Sequence, residues 1–329
     1  MSTQAEGHLG SPRLLILRGG AIGDFILTLP ALAALRRLWP QAHIEIVGYP
    51  RVAGLALAAG IADRVVSLEQ AEVAQYFSLR PSISREQAGY VRSFDLIISY
   101  LYDPSDQVRV NLLTCGARQV IYASPIVTSG HAIEHLMKPL APLAIHPEAS
   151  EYARLCMGPA HREAGRRRLE GMGADVVIIH PGSGSPRKNW PVEQFVALAE
   201  RLRAGAAVQP VFSVGEADEE LASELPKAAP GIPILERGDL VELASVLSAC
   251  RGYVGNDSGI THLAAAVGVP AVCLFGPTDP AVWSPRGPNV RVLAAPERTT
   301  ESLAAVPVDA VHATLIEAIG RAHPDPLTG

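Results

Sequence analysis

Val254-Gly255-Asn256-Asp257-Ser258-Gly259-Ile260-Thr261-His262-Leu263 reads as the end of a strand, an Asp-capped turn and the start of a helix with two small residues at its cap. An Asp at the N-cap satisfies one orphan amide of the helix. Ser258 and Gly259 keep bulk away, so other N–H groups can face an anion near the positive end of the helix dipole. Taken alone, Asp-Ser-Gly before an apolar helix is more often a plain cap than a ligand site.

A second turn of the same kind shifts that balance. His180-Pro181-Gly182-Ser183-Gly184-Ser185-Pro186-Arg187-Lys188-Asn189-Trp190-Pro191 follows the apolar run Val176 to Ile179 and precedes a helix expected from Val192 to about Leu202. Small residues here give backbone amides and hydroxyls close access to a phosphate, and Lys188 adds a point charge. A third turn, Gly19-Gly20-Ala21-Ile22-Gly23-Asp24, lies between the apolar strand Arg13 to Arg18 and a helix expected from Phe25 to about Leu38. Asp24 sits where the dipole and local amides favour the charged form, so it is expected to be ionised and able to accept a proton; a plain capping role is the alternative.

Around these turns the pattern alternates strand and helix. Strands are expected at Ile44 to Val47, Val65-Val66, Asp95 to Ser99, Val208 to Val214, Ile232 to Leu235, Gly252 to Val254 and Ala271 to Leu274. Alternation of this kind implies an α/β protein with parallel sheets covered by helices, here as two Rossmann-like lobes. Ligands in such sheets sit at the carboxyl ends of the strands, so all three turns are expected to open onto one inter-lobe cleft. The expected division is 1–155 for a first, acceptor-binding lobe, 156–173 for a linker, 174–307 for a nucleotide-sugar lobe, and 308–329 for a C-terminal helix and tail that closes the second lobe or crosses back to the first.

Composition narrows the function classes. The 329 residues are 48% hydrophobic and 19% charged, with a formal net charge of −5, which suits a well-buried globular protein and gives no support for nucleic-acid binding. The four cysteines, Cys115, Cys156, Cys250 and Cys273, lack the spacing of a zinc site or a disulfide framework. No leader or membrane-spanning run is read, so a cytoplasmic protein is expected, with peripheral contact at the inner face of the membrane left open. Gly19, Gly20 and Gly23 do not make the dinucleotide fingerprint, Val47-Gly48-Tyr49-Pro50 lacks the acidic ribose ligand, and no G-x-x-x-x-G-K-[ST] occurs.

The segments Gly23-Asp24-x4-Leu29-Pro30-Ala31-Leu32, His180-Pro181-Gly182-Ser183 through Lys188-x-Trp190-Pro191, and Asn256-Asp257-Ser258-Gly259-x-x-His262-Leu263-Ala264-Ala265 through Phe275-Gly276-Pro277-Thr278 resemble, in the same order, those of glycosyltransferase family nine, the ADP-heptose:lipopolysaccharide heptosyltransferases. The resemblance spans about residues 13 to 288. It implies a GT-B fold and inverting, metal-independent transfer of a heptose or related sugar from an ADP-sugar co-substrate to an acceptor hydroxyl, with no bound cofactor. Asp24 would be the general base. Ser183, Gly184, Ser185, Lys188, Asp257, Ser258, Gly259, Thr261 and His262 would hold the nucleotide sugar.

Of the acidic group Glu216, Asp218, Glu219 and Glu220, Glu219 is expected to take the ribose. Tyr100, Tyr102, Asp103, Arg109, His131 and His135 are candidates for touching the acceptor, which is a glycan, a lipid-linked glycan or a small molecule. A UDP- or GDP-sugar transferase and a non-catalytic nucleotide-binding scaffold are the alternatives.

Overall fold

The computed structural model describes residues 11–148, 150–173, 175–205, 208–215, 218–235 and 238–322. They pack as two compact units. The first holds 11–19, Ala31–Thr128 and Leu136–Pro147; the second holds Gly20–Pro30, Ser129–His135 and 148–322.

In the first unit, β1 (Arg13–Arg18), β2 (His43–Gly48), β3 (Arg64–Ser67), β4 (Leu96–Ser99) and β5 (Val120–Tyr122) form a wholly parallel sheet in the order β3-β2-β1-β4-β5. β1 has neighbours on both sides and helices over its faces, which is why Leu14 to Leu17 can be a continuous apolar run without exposing any of it. Its core joins Leu15, Leu17 and Ile97 to Val91, Val108 and Leu112 from the covering helices and to Phe94 just before β4.

The second unit holds β6 (Val176–His180), β7 (Gln209–Ser213), β8 (Ile234–Leu235), β9 (Gly252–Asn256), β10 (Ala271–Phe275) and β11 (Val290–Ala294), all parallel, in the order β11-β10-β9-β6-β7-β8. Strand order reverses between β6 and β9. At such a switch point the two following loops diverge and leave a crevice, so the turns after His180 and Asn256 open side by side. Helix Val192–Ala204 turns Phe195, Leu198, Ala199 and Leu202 into the core at helical spacing, where they meet Val177, Phe212 and Val254 of the sheet. The last helix, Val308–Arg321, adds Val311, Leu315 and Ile319 to the same core, within the second unit.

Three stretches differ from their sequence reading. Residues 156–173, expected as a linker, contain helix Pro159–Leu169. Gly158 and Pro159 begin this helix instead of breaking it, because proline suits a first turn whose amides have no intrahelical acceptor. Gly165 allows close packing: a Cβ there would come within 2.0 Å of the Ser245 carbonyl oxygen. The short edge strands β5 and β11 were not expected, since half-buried edges carry little apolar signal.

All four cysteines are free. No helix among the described residues is long and apolar enough to cross a membrane, and no group of three or more His, Cys, Asp or Glu among them is placed to hold a metal ion.

Candidate active site

The turn after β9 is capped by Ser258, not by Asp257 as the sequence suggested. Ser258 is extended (φ −146°, ψ 161°) and its Oγ accepts the Thr261 amide at 3.2 Å. A serine cap is worth about 1 kcal/mol to a helix. The first two helical amides, on Gly259 and Ile260, have no intrahelical acceptor and are the ones left for an anion. Thr261 is turned inward: its hydroxyl donates to the Asn256 carbonyl and meets Tyr253 Oη at 2.9 Å, so it braces the turn instead of facing a ligand.

Freed from capping, the Asp257 carboxylate points across to the other loop. Its Oδ2 accepts Lys188 Nζ at 2.8 Å and the Thr278 hydroxyl at 2.6 Å. Lys188, at the end of the one-turn 3-10 helix Pro186–Lys188, is half-buried in this pair. Ser183 folds its own loop, its Oγ donating to the Ser185 carbonyl at 2.6 Å and accepting the Ser185 amide at 3.1 Å, while Gly184 is exposed. Ser185 reaches the loop through its backbone alone among these bonds.

Beneath the loop lie three groups that the sequence reading did not assign to the site. Asn256, fully buried, donates from Nδ2 to the Pro181 carbonyl at 2.7 Å and accepts the Trp190 amide on Oδ1 at 2.9 Å. Trp190 is an anchor: its indole N–H donates to the Val306 carbonyl at 3.1 Å and its ring packs edge-on to Phe195. Asp218 is buried, accepts the Gly215 amide at 2.7 Å, and lies so close to Gly182 that a Cβ there would stand 2.1 Å from its Oδ1.

Glu219, the expected ribose ligand, is instead an exposed residue in the first turn of helix Glu219–Ala228. A one-residue offset at the helix start sends its side chain to solvent and leaves Asp218 beside the loop. Glu216 lies outside the described residues.

Asp24 belongs to the same unit. It is the third residue of helix Ile22–Leu38 and its Oδ2 accepts the Ala21 amide at 3.0 Å, the return half of a capping box, rather than standing at the N-cap itself. Gly20 (φ +98°) supplies the left-handed turn that lets the chain enter this way. Two glycines then bring helix starts together: a Cβ on Gly259 would lie 2.6 Å from Ile22 Cβ and 3.0 Å from the Gly23 amide nitrogen, and one on Gly23 would touch His262 Cδ2 at 3.3 Å. Asp24, His262, Asp257 and Lys188 are thereby gathered at one place.

Burial holds His262 neutral, pushing its pKa down to about 4; the Asp257 carboxylate opposes the shift, His131 deepens it, Asp24 opposes it and Lys188 deepens it. His180 is likewise lowered by burial, against the pull of Asp218, and its Nδ1–H donates to the Ser213 carbonyl at 2.9 Å.

The acceptor candidates scatter. Asp103 caps helix Gln107–Thr114, accepting the amides of Gln107, Val108 and Arg109 at 2.8, 2.9 and 3.2 Å, and Arg109 pairs with Asp106. Tyr100 is buried, whereas Tyr102 is 68% exposed. His131 and His135 belong to the second unit, where the His131 Nε2–H donates to the Ser284 carbonyl at 2.9 Å, its Nδ1 accepting the Ile133 amide. Glu134 beside them pairs with Arg286 at 2.7 Å.

Two Rossmann-like parallel units, the second with two small-residue turns paired at its switch point, make this a GT-B protein. The family model for glycosyltransferase family 9 (heptosyltransferase) matches residues 124–306. The chain belongs to glycosyltransferase family 9 and is a glycosyltransferase. It is 24% identical over 299 residues to lipopolysaccharide heptosyltransferase 3 of Escherichia coli, covering 82% of this chain and 84% of that one. Among solved structures it is similar to a family 9 glycosyl transferase from Veillonella parvula (TM-score 0.78, 21% identity, 96% of this chain and 99% of the other). It is also similar to E. coli heptosyltransferase WaaC with ADP-2-deoxy-2-fluoro heptose (TM-score 0.67, 20% identity, 93% and 99%).

Proposed function

We propose that this protein moves a heptose, or a closely related sugar, from an ADP-sugar to an acceptor hydroxyl with inversion at the anomeric carbon. The observation that carries the proposal is the meeting of two helix starts through Gly23 and Gly259, which brings a carboxylate and an anion-binding turn together. Asp24 would take the proton from the acceptor hydroxyl as that oxygen attacks, and the nucleoside diphosphate would leave from the opposite face in a single displacement. Lys188 and the amides of Gly259 and Ile260 would meet the charge growing on the leaving diphosphate. Neutral His262 serves as a hydrogen-bond partner, not as a cation. In this scheme neutralisation of the diphosphate falls to protein groups without a metal ion.

The ADP-sugar analogue carried by the WaaC structure and the heptosyltransferase named among the relatives support the choice of donor and sugar. Asp218 replaces Glu219 as the carboxylate offered to the nucleoside end, since it is the one lying against the loop. The acceptor is read as a lipopolysaccharide core or another lipid-linked glycan, met at a membrane surface, with the first unit as the acceptor side.

A donor panel tests the reading. With a heptose-deficient lipopolysaccharide core as acceptor, ADP-heptose should give glycosylated product of inverted configuration, and UDP- and GDP-sugars should give none. Turnover of a UDP- or GDP-sugar would overturn the donor assignment. Tight ADP binding with no product from any donor would overturn the enzyme assignment in favour of a scaffold.

A further inference from the structure

We infer that Asn256 is a positioning residue for the donor: its carboxamide holds the 181–190 loop in its ligand-binding shape before any ligand arrives. The inference rests on the reading of that loop as the diphosphate cradle.

Asn256 ends β9, next to β6 in the sheet, and no part of it reaches solvent. Loops at the ends of strands are ordinarily free to shift, because only their termini are tied to the sheet. Here one side chain grips the loop at both ends. The Nδ2 donor reaches the Pro181 carbonyl, the first residue past β6, and the Oδ1 acceptor takes the Trp190 amide, two residues before helix Val192–Ala204 begins. A carboxamide is the side chain of this size that offers a donor and an acceptor on one rigid plane. Both bonds are buried, so breaking either strands a buried backbone group.

Other restraints act at different points. Asp218 lies against Gly182, with no room for a side chain between them. Trp190 is pinned through its indole to Val306. The Asn256 carbonyl receives the Thr261 hydroxyl, so the residue that sets the first loop also braces the second turn. Lys188 lies inside the segment that Asn256 closes, so its charge is aimed by the clamp. Ordering such a loop on binding would cost affinity; a clamp made during folding removes that cost.

The test uses the full chain and ADP as probe. Asn256→Asp keeps an acceptor for the Trp190 amide but sets a carboxylate oxygen against the Pro181 carbonyl. ADP dissociation constants from calorimetry, referred to the folded fraction, should rise by a factor of about ten, the size of one buried hydrogen bond. KM for the nucleotide sugar should rise with it, by a larger factor than kcat falls, because Asp24 is untouched and only the aim of Lys188 is loosened. An unchanged ADP affinity in folded Asn256→Asp, or a fall in kcat without a rise in KM, overturns the inference.

Hydrogen exchange on the wild type decides the matter should the variant not fold. Without ligand, the Trp190 amide should exchange as slowly as those of β6, and exchange at a loop-like rate contradicts a preformed clamp. Failure of the wild type to bind ADP would instead remove the cradle reading on which all of this depends.

Discussion

Lys188 and Asp257 form an ion pair across two loops that are 69 residues apart in sequence, Nζ to Oδ2 at 2.8 Å. Each comes from a turn that follows a strand at the sheet's switch point, β6 for the lysine and β9 for the aspartate. The pair holds the Lys188 ammonium against a carboxylate from the neighbouring turn. Thr278 donates to the same carboxylate oxygen at 2.6 Å, a second tether on Asp257.

Lys188→Ala should therefore weaken ADP binding by more than one lost contact, since it also leaves the buried Asp257 charge facing a phosphate. A loss of about 10- to 100-fold is expected from the strength of charged hydrogen bonds. Lys188→Ala combined with Asp257→Asn should recover part of it. Calorimetric titration with ADP reads both; a double variant weaker than the single one would contradict this view of the pair.

Gly182→Ala places a methyl 2.1 Å from Asp218 Oδ1, and the backbone on one side or the carboxylate on the other must give way. The expected result is a loss of ADP affinity with a lowered Tm. Shortening the obstacle through Asp218→Ala in the same chain should restore Tm more than affinity, because the carboxylate is itself assigned to the nucleoside. Thermal unfolding and ADP titration of the two variants separate these effects.

Gly259→Ala acts on the junction that brings Asp24 into the site. The new carbon would overlap Ile22 Cβ at 2.6 Å, pushing the two helix starts apart. Turnover should fall by about 100-fold, of the order lost when a reacting group is misplaced by an ångström. A steady-state assay of Gly259→Ala showing wild-type kcat would show that this contact has no part in catalysis.

Acid should destabilise the protein in part through His262. Its folded pKa of about 4 lies below the ordinary 6.5, so between these values the unfolded chain binds a proton that the folded chain does not. Its contribution to stability is complete above pH 6.5 and is lost as the pH falls towards 4, with a slope of up to about 1.4 kcal/mol per pH unit for one group. Buried His131 and His180, both lowered, act in the same direction. Tm measured from neutral pH downwards should fall less steeply in His262→Asn; equal slopes would contradict the assignment.

Much of this architecture was legible because its signals are local. The apolar runs at Leu14 to Leu17 and Val176 to Ile179 carry strands buried on both faces, and each is followed by a turn of small residues. The same locality explains the misreadings. Asp257 and Ser258 both suit an N-cap, and the choice between them came from Lys188 and Thr278, which draw the aspartate away from far along the chain. Glu219 and Asp218 differ by one position on a helix start, where the direction of a side chain depends on the boundary residue. Asn256 was in plain view within the quoted stretch, but a carboxamide announces its partners only when Pro181 and Trp190 are folded beside it. Pro159 and Gly165, inside the stretch expected as a linker, serve a helix and its close packing.

The most direct test of the central claim is the turnover of Asp24→Asn with ADP-heptose and a heptose-deficient lipopolysaccharide core, measured beside its affinity for ADP. Asparagine keeps an acceptor for the Ala21 amide, so the helix start and the donor site should survive, with Tm and ADP affinity close to wild type. kcat should fall by about 100- to 10,000-fold, the usual share of general base catalysis. Full activity in this variant would contradict Asp24 as the base that activates the acceptor.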